Sequence, residues 1–298
     1  MALASMSEGK AEASCVLEAR AALGECPVWD EREQALYFVD IHAPALFRFD
    51  PATSAIRRWD MPAKLGSFAL EDGGGAVLAL ATGFARLDFA TGALAAIANL
   101  LEGAAEHRFN DGGADPAGRF WSGTMQGSGR RAAGKVYCLD GGEARAVYDG
   151  FFVPNGFAWS PDGARFYVND SPRAMFVAKF DAAAGSAGAP YVFADVSAAP
   201  GYPDGMAVDA DGFLWNARWD GGGVARFAPD GRLDRFVPLP VSRPTSCAFG
   251  GPNLDRLYVT SARIGLDDAT LARQPLAGAV FALDAGVKGL PARRTRTR

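Results

Sequence analysis

The chain has 298 residues, 49% apolar and 21% charged, and its 30 Lys+Arg against 34 Asp+Glu leave a net charge of −4. That balance argues against a nucleic-acid partner, which would need a basic face. Two histidines, His42 and His107, exclude a three-histidine zinc site, and the four cysteines form no CxxC pair and read as scattered reduced thiols. No apolar run approaches the roughly 18 residues that cross a membrane. The opening MALASMSEGKAEAS lacks the apolar segment of a secretory signal, so a cytoplasmic protein with no membrane partner is expected.

In chain order, residues 1–12 are expected to form a disordered extension. ASCVLEAR, at 13–20, has the length and alternation of a strand. A unit then begins that recurs along the chain. It comprises a turn leading into a short strand (EREQALYFVD, around Tyr37), an alternating strand ending in a turn (ALFRFDPATS), and a further short strand (AIRRW). The turn-strand returns around Leu78, Trp121, Tyr167, Trp215 and Tyr258, at spacings of 41, 43, 46, 48 and 43 residues. The alternating strand returns as GFARLDFATG, GKVYCLDGGE, MFVAKFDAAAG, GVARFAPDGR and GAVFALDAG. TGALAAIANLLEG has some helical composition, but turn residues hem it in.

Six copies of four short strands predict an all-β fold, a six-bladed β-propeller with four antiparallel strands per blade. The ring is expected to close when the N-terminal strand at 13–20 joins the last blade beside GAVFALD. The propeller then spans 13–290, and PARRTRTR (291–298) is a basic tail outside the fold.

In such a ring, inner-strand ends gather residues distant in sequence. Glu25 lies 12 residues before Tyr37, Asn110 lies 11 before Trp121, Asn155 lies 12 before Tyr167 and Asp204 lies 11 before Trp215. Taken singly, PNG and PDG are ordinary turn sequences. The shared register instead brings four polar side chains to one end of the axis. An all-oxygen set suits calcium first, with magnesium or manganese also open, while zinc more often recruits nitrogen or sulfur. Arg108 shares this segment, with Asp111 beyond it, and His107 beside it is a neighbour of the site or a loop residue.

At LGECPVWDEREQALYFVDI, RFNDGGADPAGRFWSGTM, PNGFAWSPDGARFYVNDS and YPDGMAVDADGFLWNARWDGGGVARFAPDG, the chain resembles the SMP-30/gluconolactonase family over roughly residues 15–285. The resemblance implies a six-bladed propeller holding one divalent cation, calcium foremost with zinc, manganese or magnesium open, that hydrolyses sugar lactones. It implies Glu25, Asn155 and Asp204 as metal ligands, Arg108 and Asn110 as contacts to the lactone, and Asp204 also as the base. Alternatives are a non-catalytic calcium- or partner-binding propeller and a broader lactonase or esterase at the same metal. Three positions depart from the family pattern: Cys26 beside the first ligand, Phe109 in place of a common proline, and Gln126-Gly127 where animal members carry a substrate-touching glutamate.

Overall fold

The computed structural model describes residues 12–101, 103–104, 106–127 and 129–296. Six small antiparallel sheets stand around an axis, each a blade, and in the first five the strands follow one another in sequence. The inner strands of blades 1 to 6 are Gly24–Asp30, Leu65–Leu70, His107–Ala114, Pro154–Trp159, Tyr202–Val208 and Pro244–Gly250.

The recurrent aromatic explains the ring. It lies in the second strand of its blade, and in four blades it packs on an aromatic from the next inner strand. Tyr37 meets Phe68 at 6.4 Å, Trp121 meets Trp159 at 6.2 Å, Trp215 meets Phe249 at 6.0 Å, and Tyr258 meets Trp29 at 5.3 Å between ring centroids. Such a pair contributes about 0.5–1.5 kcal/mol beyond its buried area, so in these four blades the recurrent aromatic glues its blade to the following one. The turn aspartates finish the unit. The Asp115 and Asp209 carboxylates accept the buried indole N–H of Trp121 and Trp215 at 3.1 and 3.0 Å.

The ring closes as expected, with Ser14–Leu17 adding antiparallel to Val280–Asp284 as the outer strand of blade 6. The expected extension at 1–12 lies outside the described residues except for Glu12. Two expectations need correction. Blade 4 has five strands rather than four, because its outer edge is split into Ser186–Ala187 and Tyr191–Ala194, both paired to Ala174–Asp181. Pro190 interrupts that edge, having no N–H to give the ladder.

The basic tail also does not lie outside the fold as far as Arg296. It crosses the far mouth of the channel, where Thr295 N–H donates to Leu70 O at 2.8 Å, Asp72 N–H to Thr295 O at 3.1 Å, and Arg296 N–H to Gly118 O at 3.0 Å. Arg294 pairs with Asp30, and Thr295 is buried. Inner-strand ends carry unpaired backbone groups and carboxylates, and a chain rich in arginine and threonine satisfies both.

The described residues of TGALAAIANLLEG are not helical; Leu94–Ala98 forms the outer strand of blade 2. The helices among the described residues are short, and none is long and apolar enough to cross a membrane.

Candidate active site at the channel mouth

Every inner strand carries a register shift near its start. The shifts fall between Glu25 and Val28, Leu65 and Ser67, Phe109 and Gly112, Asn155 and Ala158, Pro203 and Met206, and Pro244 and Ser246. A bulge re-aims a side chain out of the alternating pattern. Glu25, Asn110, Asn155 and Asp204 sit at or within these shifts, each about 5% exposed or less. At the matching offset, blade 2 carries Gly66 and blade 6 has Thr245-Ser246, with Thr245 Oγ1 donating to Gly24 O. Four blades therefore furnish the polar floor, and two pack around it.

Glu25, Arg108, Asn110, Asn155, Ser171 and Asp204 line one cavity of about 370 Å³ at this mouth. All five residues singled out in the sequence thus lie in one place. A polar chain links three of them. Arg108 Nη1 donates to Asn110 Oδ1 at 2.6 Å, Asn110 Nδ2 donates to Asn155 Oδ1 at 2.5 Å and to Pro154 O at 3.1 Å, and Asn155 Nδ2 donates to Ser171 Oγ at 2.7 Å. The Asn110 amide is therefore engaged at both ends by protein. It orients Arg108 and Asn155 as much as it faces the cavity.

The carboxylates are electrostatically uncomfortable. Burial, then the charges of Asp204 and Asp111, push the Glu25 carboxyl well above the usual range; burial, then Asp111, do the same to Asp204. Arg108 is lowered to about 10 by burial, against the pull of Glu25 and Asp204. Asp204 Oδ1 is buried without a hydrogen-bond partner among the described residues. Two adjacent buried carboxylates with an orphaned oxygen, plus an amide oxygen, fit a divalent cation, which supplies the charge they lack. Among the described residues no group of three or more His, Cys, Asp or Glu is arranged to hold a metal ion by itself, so a cation here would need the amide oxygen beside the two carboxylates.

Three groups that sequence reasoning passed over hold Asp204 in place. Its backbone carbonyl accepts Asn169 Nδ2 at 2.6 Å and Asn216 Nδ2 at 2.8 Å. Arg218, fully buried, donates to Val196, Ala199, Pro200 and Gly201 carbonyls at 2.6–3.0 Å, pinning the loop before Asp204. A signal for two of them was present: WNARW puts Asn and Arg inside a buried strand. Asp111, noted but not assigned a role, accepts Gly112 and Gly156 N–H at 2.7 Å each and so ties blade 3 to the strand of Asn155. Burial raises its carboxyl to about 6.

The departures from the family pattern find physical reasons. Phe109 points away from the cavity into the core, against Phe84 at 4.7 Å and Tyr137 at 5.8 Å. Cys26 adopts a left-handed φ of 47°, and its thiol, pushed up strongly by burial, faces Phe68 O at 3.7 Å. Gln126 does not line the cavity; its amide donates to Glu106 at 2.6 Å. His107 opens the inner strand of blade 3 and does not line the cavity.

Comparison with known proteins identifies the family and supports the fold. Residues 23–263 match the family described as SMP-30/Gluconolactonase/LRE-like region. The chain is 40% identical over 278 residues to the 6-deoxy-6-sulfogluconolactonase of Pseudomonas putida, covering 92% of this chain and 95% of that protein. It is 37% identical to regucalcin of Homo sapiens over 285 residues, covering 93% and 95%. The crystal structure of the calcium-binding protein regucalcin from Agrobacterium tumefaciens superposes with a TM-score of 0.92 at 30% identity, covering 96% of this chain and 98% of that one. With its repeats, its ring and its axial carboxylates, the chain belongs to the SMP-30/gluconolactonase/LRE-like family.

Proposed function

We propose that the chain is a metal-assisted hydrolase that opens sugar lactones to the open-chain acid, with one divalent cation held by Glu25, Asn155 and Asp204. The observation that carries this reading is the orphaned, buried Asp204 Oδ1 beside Glu25, both carboxyls raised by burial and by neighbouring negative charge. Relatives named sulfogluconolactonase and regucalcin support the reaction class and the cation. The oxygen donors suit calcium ahead of zinc.

When bound, such a cation supplies Lewis-acid polarisation of the lactone carbonyl. The chain's own residues do the rest. Asp204 takes the proton of the attacking water and returns it to the ring oxygen as the ester bond breaks. Arg108 keeps Nε and Nη2 free of protein partners among the described residues, so its planar donors serve the hydroxyls of the sugar. Asn110 holds both Arg108 and Asn155 in register.

The test is a pH-indicator assay on a lactone panel, with the spontaneous rate subtracted and with calcium, manganese, zinc and chelator arms. Turnover that disappears on chelation and returns with one cation is expected. Turnover indifferent to exhaustive chelation sinks the metal role. Tight calcium binding with no lactone opened would establish the alternative, a binding propeller.

A further inference from the structure

The cavity at the mouth has a second side, chemically unlike its polar floor. Met125, Gly129, Val153, Pro172, Tyr202 and Trp219 line it. Gly129 sits directly on this wall, where an added Cβ would lie 2.5 Å from Val153 Cγ2 and 3.4 Å from Met125 Cε. No side chain fits between them. The polar neighbour that could have reached in does not: Met125 lines the cavity, whereas Gln126, next along the strand, belongs to a separate hollow with Glu106, Arg130 and Arg131.

The Trp219 side of the wall is held in place. Tyr202 and Trp219 are direct cross-strand partners. The Arg243 guanidinium lies 4.8 Å from the Trp219 ring centre and is itself tied to Asp220 at 2.6 Å. Arg108 is the one cation among the lining residues, and it is committed to the floor through Asn110.

We infer that the lactone this site takes is a neutral sugar lactone deoxygenated at the end remote from the ester, with its hydroxylated edge toward Arg108 and its methyl or methylene end on the Met125–Val153–Pro172 wall. The inference rests on the lactonase reading above and specifies its substrate class. A hydroxymethyl group against Met125, Val153 and Pro172 meets no side-chain donor or acceptor from these three residues. A sulfonate or phosphate there meets no cation. A methyl group buries apolar surface at no such cost.

The experiment compares kcat/KM of the full chain on D-glucono-1,5-lactone, its 6-deoxy analogue and its 6-sulfo analogue. Alongside, calorimetry measures binding of the three matching, non-hydrolysable 1,5-lactams in the presence of calcium. The 6-deoxy compound should be favoured by about 10- to 100-fold in both, the range over which a hydrophobic pocket rejects an added hydroxyl. Met125→Gln and Val153→Thr should each move the ratio toward the hydroxylated compound by about tenfold, while calcium affinity shows that the site is still assembled. Preference for the hydroxymethyl or sulfonate compound overturns the inference, as does a ratio unmoved by both substitutions. Should either variant fail to fold, the wild-type ratio decides alone. Lactones opened without discrimination overturn the wall's role and leave the hydrolase standing; lactams discriminated while no lactone is opened do the reverse.

Discussion

In the proposed reaction Asp204 combines two duties that a single substitution can separate. Asp204→Asn keeps an oxygen donor but removes a charge and a base, and kcat should fall by about two to four powers of ten. If calcium binding survives and kcat drops less than tenfold, the residue is only a ligand. Arg108→Ala and Asn110→Ala should also part ways. Loss of Arg108 lowers kcat/KM on hydroxylated lactones at nearly unchanged metal affinity. Loss of Asn110 weakens both, because its amide holds Asn155 at 2.5 Å; calorimetric metal titration of the two variants makes the comparison. The raised Glu25 and Asp204 carboxyls fix a sign for pH dependence. A carboxyl with a higher pKa folded than unfolded takes up protons on folding, so its contribution to stability is full at low pH and is lost as pH rises through the raised range. Metal-free protein should therefore melt at lower temperature as pH increases, and calcium affinity should rise over the same interval. Melting in chelator and in calcium, from about pH 5 to 8, reads both; parallel curves would mean the carboxyls are not linked to the metal. Glu25, Asn155 and Asp204 were legible because register is a property of sequence. Asn169 was not, because its partner is the Asp204 backbone carbonyl, which only the folded chain presents; Asn216 and Arg218 left a trace only as polar residues inside WNARW.

At the scale of the strand, the bulges do the positioning, and the blades without a polar residue matter as much as those with one. Gly66 stands where blade 2 passes the strand of Asn110, and a Cβ there would lie 2.4 Å from Asn110 O and 2.5 Å from Phe109 O. Gly66→Ala should cost about 1–3 kcal/mol as an overpacked core change and lower kcat by shifting Asn110. Gly73→Ala, with nothing within 4 Å of an added Cβ, is the control. Denaturant midpoints and turnover of both proteins check it, and equal behaviour would mean the strands are free to part. Six turn-strand units around Tyr37, Leu78, Trp121, Tyr167, Trp215 and Tyr258 were enough to read the blades, since the markers recur at similar spacing and four of them are interblade aromatic contacts. The same logic holds at Leu94–Ala98, where alanine-rich composition favours helix but the hemming turns and an exposed outer strand position decide. It failed at the tail, because its partners, Asp30, Leu70 and Gly118, are far away in sequence.

For the whole molecule, two fastenings act on one ring. Deleting the chain after Leu290 should lower stability by about 2–4 kcal/mol, summing a few backbone bonds of about 0.5–1.5 kcal/mol each with the Arg294–Asp30 pair. Metal affinity should remain, because the strap lies at the mouth opposite Glu25 and Asp204. Thermal unfolding and calcium titration of the truncated chain test this; loss of calcium binding would show that the far mouth shapes the near one. The closing pair has a further meaning in time. Ser14 bonds to Ala282 across 268 positions of sequence, and the strap follows later still. Contacts of that separation are the slowest to form, since the intervening chain must be ordered before they give any return. The N-terminal strand at Ser14–Leu17 is thus paired only after the blades between it and Val280–Asp284 are made, and an arc of blades with both edges open is the species that a cell's chaperones would meet.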